Sequence, residues 1–172
     1  MNDANSKKVH NIRTTRWRRA QVETRRLADR LGKPIDSKVI GAVAALRAFG
    51  FPTTGSCQGH LEWGKRAPWV DFSVSVNPPK RPLPQRQKNL RSQRRLLKLL
   101  DEFYQYRPTP YDVRLILTPV GIFGAFSLIN QGADIQDLLP ALDKSRKLKQ
   151  FQMEFSLFAT FLQGRYRNTV RN

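Results

Sequence analysis

Apolar side chains recur every three or four residues in four stretches of the chain, which is the spacing that buries one face of a helix. This periodicity predicts helices over residues 13–31, 36–49, 85–106 and 145–166. Asp36 is expected to cap the second helix with its carboxylate, and Gly50 to end it in the left-handed conformation. The apolar stripes are Trp17, Ala20, Thr24, Leu27 and Leu31; Val39, Ile40, Val43 and Leu46; Leu90, Leu97, Leu100 and Tyr104, with Leu96, Leu99 and Phe103 beside them; and Leu148, Phe151, Phe155, Phe158, Leu162 and Tyr166.

Strict alternation of apolar and polar residues over 69–76 predicts a strand, and shorter patterns predict strands over 51–54, 112–118 and 123–130. Pro52 marks the first of these as an edge strand. A hairpin turn is expected at 119–121, and Asp134 is expected to cap a short helix over 135–142. The element order predicts an α+β domain with about four mostly antiparallel strands and helices packed on one face.

The chain organisation follows from composition along the sequence. Residues 1–12 are polar and are predicted to form a flexible basic tail, and residues 13–172 to form a single domain. The proline-rich stretch 77–84 is predicted to be a stiff linker between two halves. Each half has only two predicted strands, which is marginal for independent stability, so one domain is favoured.

Positive charge is the dominant feature of the composition. The net charge is +18, and it is concentrated in residues 1–33 with +7, residues 80–107 with +7 and residues 144–172 with +6. Solubility needs a net charge of only about 2–8 in a small domain. Lys and Arg that neutralise phosphates release counterions, which favours binding of a polyanion. The charge therefore predicts a nucleic-acid partner rather than a solvated surface or an anionic membrane.

The predicted phosphate contacts lie on two Arg-rich helix faces, and Trp63, close to the basic pair Lys65-Arg66, suits the stacking of an unpaired base. These candidate nucleic-acid contacts are Arg16, Arg18, Arg19, Arg25, Arg26 and Arg30; Arg91, Arg94 and Arg95; and Lys65, Arg66 and Trp63.

Compartment and membrane context follow from what the sequence contains. The single cysteine, Cys57, fits a reducing compartment. The chain shows no run of about 18 apolar residues and no apolar leader at its start. We therefore expect a soluble cytoplasmic protein without a membrane partner.

Residues 53–60 form the one segment that is dense in reactive side chains, and they are predicted to form a turn-rich loop. Cys57 and His60 are candidate catalytic residues, because an imidazole near a thiol can hold it as a nucleophilic thiolate. Cys-x-x-His is also half of a zinc pattern, which Glu62, Asp71 or a dimer would have to complete, so no metal is assigned. In a third alternative Thr54, Ser56 and Gly59 form a phosphate or ligand loop, and in a fourth Cys57 and His60 are purely structural.

The same segment resembles a group of uncharacterised bacterial and metagenomic proteins that share a Ser-Cys-Glu/Gln-Gly-His loop. The likeness covers residues 27–36, 50–60, 63–64 and 68–71. The N-terminal half also resembles, more remotely, tRNA wybutosine-synthesising protein 3, in which an Asp-led helix precedes Thr-Thr-Ser-Ser-Cys-Ser-Gly-Arg. The residues that line up are Asp36, Thr53, Thr54, Ser56, Cys57 and Gly59, with His60 in place of the Arg.

That second family modifies tRNA with S-adenosylmethionine, so the resemblance implies an RNA ligand and a shared loop fold. The second half of the chain carries no motif of the family, and no methyl-donor site is visible, so neither the reaction nor a cofactor is carried over. Three functions remain open: an RNA-binding module, an RNA-modifying enzyme with Cys57 and His60 in its site, and a structural subunit of a ribonucleoprotein or phage-like particle.

Overall fold

Four strands form one antiparallel sheet in the order β1-β2-β4-β3. The computed structural model describes residues 15, 17–28, 32–74, 82–121 and 123–168. The strands are β1 (Thr53–Cys57), β2 (Trp69–Phe72), β3 (Leu115–Val120) and β4 (Ala125–Asn130), and the helices are α1 (17–25), α2 (Ile40–Ala48), α3 (Pro82–Tyr104) and α4 (Ala141–Asn168). This architecture confirms the predicted α+β class and the single domain.

The core lies between one face of the sheet and the helices. Val70 and Phe72 of β2 pair with Leu128 and Phe126 of β4, and all four side chains are buried. The rings of Phe72 and Phe126 stack with their centroids 4.8 Å apart. From the helices, the predicted stripes contribute Val43 and Leu46, Leu96 and Leu100, and Phe155, Phe158 and Leu162 to the same cluster.

The bounds of all four helices differ from the predicted ones, most clearly at the end of α1 and at the start of α3. The described part of α1 ends at residue 25, Leu27 is exposed, and Ala28 instead pairs with Pro34 in an isolated antiparallel bridge. α3 begins at Pro82 rather than residue 85, because a proline is tolerated in the first turn of a helix, where its missing N–H would have no partner. The part of the predicted linker before residue 82, the tail over 1–12 and Leu31 lie outside the described residues.

The buried face of α3 also differs from the prediction, since Leu90 and Leu97 are exposed. Asn89 occupies the buried face near the start of the helix. Its Oδ1 accepts the N–H of Val74 at 3.0 Å, and its Nδ2 donates to the carbonyl of Phe123 at 3.0 Å. The hydrogen bonds between the strands end there, so the N–H of Val74 and the carbonyl of Phe123 need a side-chain partner. An amide can serve both groups and a leucine can serve neither.

The strand bounds shift for local backbone reasons. Phe51 donates its N–H to the carbonyl of Leu46 at 3.0 Å, which closes α2 around the left-handed Gly50 and leaves β1 to start at Thr53. β2 stops at Phe72, and Val74 is exposed. β3 continues through Pro119, which an edge strand tolerates, so the predicted turn at 119–121 is wrong, and the described turn residues are Gly121, Phe123 and Gly124.

The segment before α4 contains less helix than predicted. Instead of a helix over 135–142, only Gln136–Leu138 forms a 3₁₀ turn, and Asp134 caps no helix there. α4 takes over the remaining residues by starting at Ala141, directly after Pro140. Among the described residues, the helices are too short or too polar to cross a membrane.

Candidate functional site

Cys57 lies at the end of an edge strand rather than in a loop. β1 runs through Gly55 and Ser56, so the first half of the predicted turn-rich segment is strand. Cys57 pairs with Trp69 and Gly55 with Asp71 in the neighbouring strand. A side chain added at Gly55 would come within 3.1 Å of the Trp69 ring, which explains why this position has none.

Asp36 does not cap the second helix, so this prediction is wrong. The N-cap position is Val39, and Asp36 serves the helix only through its backbone carbonyl, which accepts the N–H of Val39 and Ile40. Its carboxylate Oδ2 accepts the N–H of Gln58 at 3.0 Å and lies 3.9 Å from Nε2 of His60. The long-range contact with the 57–60 segment outcompetes the local capping contact.

Asp36, Cys57 and His60 thus form one half-buried cluster, in which a carboxylate oxygen, the Sγ and an imidazole nitrogen all lie within 4.8 Å of one another. Burial raises the pKa of the Cys57 thiol, the N–H of Gly59 acts in the opposite direction, and the Asp36 carboxylate raises it further. The thiol form of Cys57 is favoured, so its surroundings do not support a role as a thiolate nucleophile.

Packing against α4 fixes the segment that carries the cluster. Gln152 donates its side-chain N–H to the carbonyl of Gln58 at 3.0 Å, and His60 donates its N–H to the carbonyl of Lys65 at 3.0 Å. Gly59 is buried with φ of 78°, and its N–H donates to Sγ of Cys57 at 3.4 Å. This hydrogen bond from Gly59 therefore helps to fix the position of the Cys57 thiol.

A cleft of about 560 Å³ opens over the cluster. Its walls include Thr54, Ser56, Cys57, His60 and Trp63, and they extend to Arg47, Lys33 and Trp69. The Trp63 ring stacks on His60 with 3.6 Å between centroids, yet 64% of Trp63 is exposed. Such a cleft offers an aromatic face, two cations and several small polar groups to a ligand.

The predicted basic contacts separate into distinct environments. Lys65 lies over the Trp69 ring at 4.9 Å, and Arg66 forms an ion pair with Asp137. Arg16 and Arg30 lie outside the described residues. The remaining candidates are exposed on or next to α1 and α3: Arg18, Arg19, Arg25 and Arg26, and Arg91, Arg94 and Arg95.

Aromatic contacts bring the three basic segments together at one end of the molecule. Tyr166, near the end of α4, packs against Trp17 of α1 at 5.1 Å and against Phe49 at 5.4 Å. Arg95 of α3 donates to the carbonyl of Phe49 at 2.9 Å, and Arg165 pairs with Glu102 of α3 at 2.8 Å.

We call this surface the basic end. Arg91 and Lys98 lie one helical turn on either side of Arg95 and so share its face of α3. Arg19 and Arg47 line one depression, and Arg47 also lines the cleft over Cys57, so the basic end and the cleft are continuous. We assign to the basic end the cations at these contacts and their neighbours on the same helices, of which Arg19 and Arg165 are ion-paired with Glu23 and Glu102. These cations are Arg18, Arg19, Arg47, Arg91, Arg95, Lys98, Arg165 and Arg167.

Sequence reasoning missed Arg47 and Gln152 and gave Asp36 another role. Arg47 is a lone basic residue in an otherwise apolar helix, which is an unusual position for a charge and a usable signal. Gln152 carries no such signal.

Asp36 belongs to the residues that carry both family resemblances, which themselves stay predictions. No protein-family model, curated protein or solved structure matches the chain.

Proposed function

We propose that the protein binds RNA, and that the basic end is the surface that contacts the phosphates. The single observation behind this proposal is that α1, α3 and α4, from three separate basic segments, meet around Phe49 and Tyr166. Like charges that converge on one surface repel one another. A bound polyanion removes this repulsion, and each neutralised phosphate also releases counterions, which favours binding.

Two features favour RNA over duplex DNA. The basic end continues into the cleft beside the exposed Trp63, and unpaired bases in RNA loops are recognised by stacking on such rings. The resemblance to a tRNA-modifying family points the same way.

Removal of charge from the basic end is expected to reduce the salt dependence of RNA binding. In the variant Arg18→Gln with Arg91→Gln, two exposed cations are lost without loss of a core side chain. Each lost phosphate contact lowers the slope of log affinity against log salt by about 0.7–0.9, so the slope should fall by about 1.5. Fluorescence anisotropy with tRNA over a salt series measures this.

The matched control is Arg146→Gln with Lys149→Gln, which removes the same charge from the other half of α4. At 1.5 Å of rise per residue, these positions lie roughly 25–30 Å from Arg165 and Arg167. The control should leave the slope nearly unchanged. Equal losses in the two variants would assign binding to net charge alone, and an unchanged slope in the first would refute the basic end as the contact surface.

A second candidate function is an enzyme that acts on a base of the bound RNA. It is favoured by the cluster of Asp36, Cys57 and His60 on the wall of a cleft that continues into the basic end. An enzyme of this kind takes its target base out of the stack and recognises it in a pocket.

A base pocket beside Trp63 predicts saturable quenching of the tryptophan fluorescence by one of the four ribonucleoside monophosphates, with a preference of at least about tenfold over the others. Trp63→Leu should remove the Trp63 share of the saturable quenching, and it should also weaken tRNA binding by the roughly 1–3 kcal/mol of one lost base stack. Equal, unsaturable quenching by all four nucleotides would leave the protein as a binding module without a base pocket.

A further inference from the structure

Three ligand atoms of different chemistry converge at the cleft, from segments that the fold brings together. Asp36 precedes α2, Cys57 ends β1, and His60 follows it. Every pair among the carboxylate oxygen, the Sγ and the imidazole nitrogen lies within 4.8 Å, and Oδ2 of Asp36 lies 3.9 Å from Nε2 of His60. A carboxylate, a thiol and an imidazole are the three side-chain groups that bind zinc.

The arrangement differs from a nucleophile–base–carboxylate relay. In a relay the imidazole stands between its two partners and uses one nitrogen for each, which keeps the carboxylate far from the nucleophile. Here the carboxylate oxygen of Asp36 approaches Cys57 and the imidazole nitrogen of His60 alike. Atoms that converge on one point suit coordination of a shared ion better than transfer of a proton along a line.

We propose that Asp36, Cys57 and His60 form a binding site for a zinc-type divalent cation. Zinc binds oxygen and nitrogen at about 2.0–2.2 Å and sulfur at about 2.3 Å, so two of its ligand atoms stand roughly 3.5 Å apart in a tetrahedral site. The 3.9 Å between Asp36 and His60 is close to this value. The two distances to Sγ of Cys57 are at most 4.8 Å, so binding requires side-chain rotations that bring the ligand atoms together by about 1 Å or less.

Surrounding hydrogen bonds orient two of the three ligands. Gln58 donates its N–H to the Asp36 carboxylate, and Gly59 donates its N–H to Sγ of Cys57. Such outer contacts fix ligand geometry and typically contribute 10–100-fold to metal affinity. The sequence alone predicted no metal because Cys-x-x-His lacked a partner, and the partner is Asp36 rather than Glu62 or Asp71.

Three protein ligands leave the fourth tetrahedral position for water or substrate, which is the pattern of catalytic rather than structural zinc sites. All three residues line the cleft, so a small molecule could reach the ion. This inference does not depend on RNA binding, because metal binding is measured without nucleic acid.

Titration of the full-length protein with Co²⁺, after purification with chelator and reductant, tests the site. Because Cys57 is the only cysteine, a near-ultraviolet cobalt–thiolate band can come from this residue alone. We expect the band to saturate at one equivalent and to disappear when Zn²⁺ is added. His60→Ala and Asp36→Asn should each weaken binding at least tenfold, and Cys57→Ser should abolish the band.

Asp71→Asn is the matched control, since it makes the same change to a carboxylate on the neighbouring strand, opposite Gly55. It should leave cobalt affinity unchanged. Absence of the band in folded wild-type protein at saturating Co²⁺ would overturn the proposal, with folding checked by circular dichroism. A band that survives both His60→Ala and Asp36→Asn would also overturn it, because it would report an adventitious thiol complex. Failure of RNA binding would leave this result untouched.

Discussion

Replacement of Glu154 by alanine is expected to lower the free energy of unfolding by about 3–5 kcal/mol, because it leaves a buried network without its only anion. The Glu154 side chain is 2% exposed and accepts hydrogen bonds from both terminal nitrogens of Arg107. It also accepts the hydroxyl of Tyr104 at 2.8 Å, and that hydroxyl accepts the N–H of Leu115 at 2.7 Å. The network therefore joins α3, α4 and the start of β3.

The protonation states make this network depend on Glu154. Burial raises the pKa of Tyr104, so its hydroxyl stays protonated and needs an acceptor. The hydrogen bond to Glu154 raises the pKa of Arg107, which therefore stays charged. Removal of the carboxylate leaves the Tyr104 hydroxyl and the Arg107 guanidinium, both half-buried, without their shared acceptor, and each unmet donor costs about 1–3 kcal/mol.

Glu102→Ala is the matched control for Glu154→Ala. Glu102 also pairs with an arginine, Arg165, at 2.8 Å, but both side chains are more than 40% exposed. An exposed pair contributes only about 0–1 kcal/mol. Urea unfolding followed by circular dichroism gives both values, and Glu154→Gln, which keeps one acceptor, should fall between them. A Glu154→Ala cost no greater than that of Glu102→Ala would show that water screens the network.

The elements that sequence reasoning identified correctly are those set by local periodicity. Phe151, Phe155 and Phe158 recur at helical spacing, and all three are fully buried. Glu154 lies on the same face and could not be found in this way, because a Glu in a helix is ordinarily solvated. Its partners Tyr104 and Arg107 are 50 and 47 residues away, so only the tertiary fold shows why a charge belongs there.

The candidate site was half predictable for the same reason. The sequence brings Cys57 and His60 together because they are three residues apart, whereas Asp36 reaches Gln58 across 22 residues. An Asp before a helix also satisfies a local rule, and that rule gave it the wrong role. The basic end likewise depends on Trp17 meeting Tyr166, a contact between opposite ends of the chain that no local pattern contains.

Gly59→Ala is expected to destabilise the fold by about 2–5 kcal/mol and to disturb the cluster of Asp36, Cys57 and His60. Gly59 has φ of 78°, and the left-handed conformation costs about 1–2 kcal/mol for a residue with a Cβ. That Cβ would also lie 2.8 Å from the backbone of Arg66 and Ala67 and from a methyl of Leu148. Relief of such overpacking costs a further 1–3 kcal/mol or so.

Gly64→Ala separates the two contributions, because Gly64 has φ of 65° but open space around the position of a Cβ. We expect it to cost about 1–2 kcal/mol, the conformational part alone. The backbone atoms around Gly59 cannot rotate away as a side chain can, so the 57–60 segment itself must move. Gly59→Ala should therefore weaken the cobalt–thiolate complex as well as the fold, whereas Gly64→Ala should leave the complex intact. Equal unfolding free energies for the two variants would mean that the 57–60 segment shifts without strain, and that α4 does not hold the cluster in place.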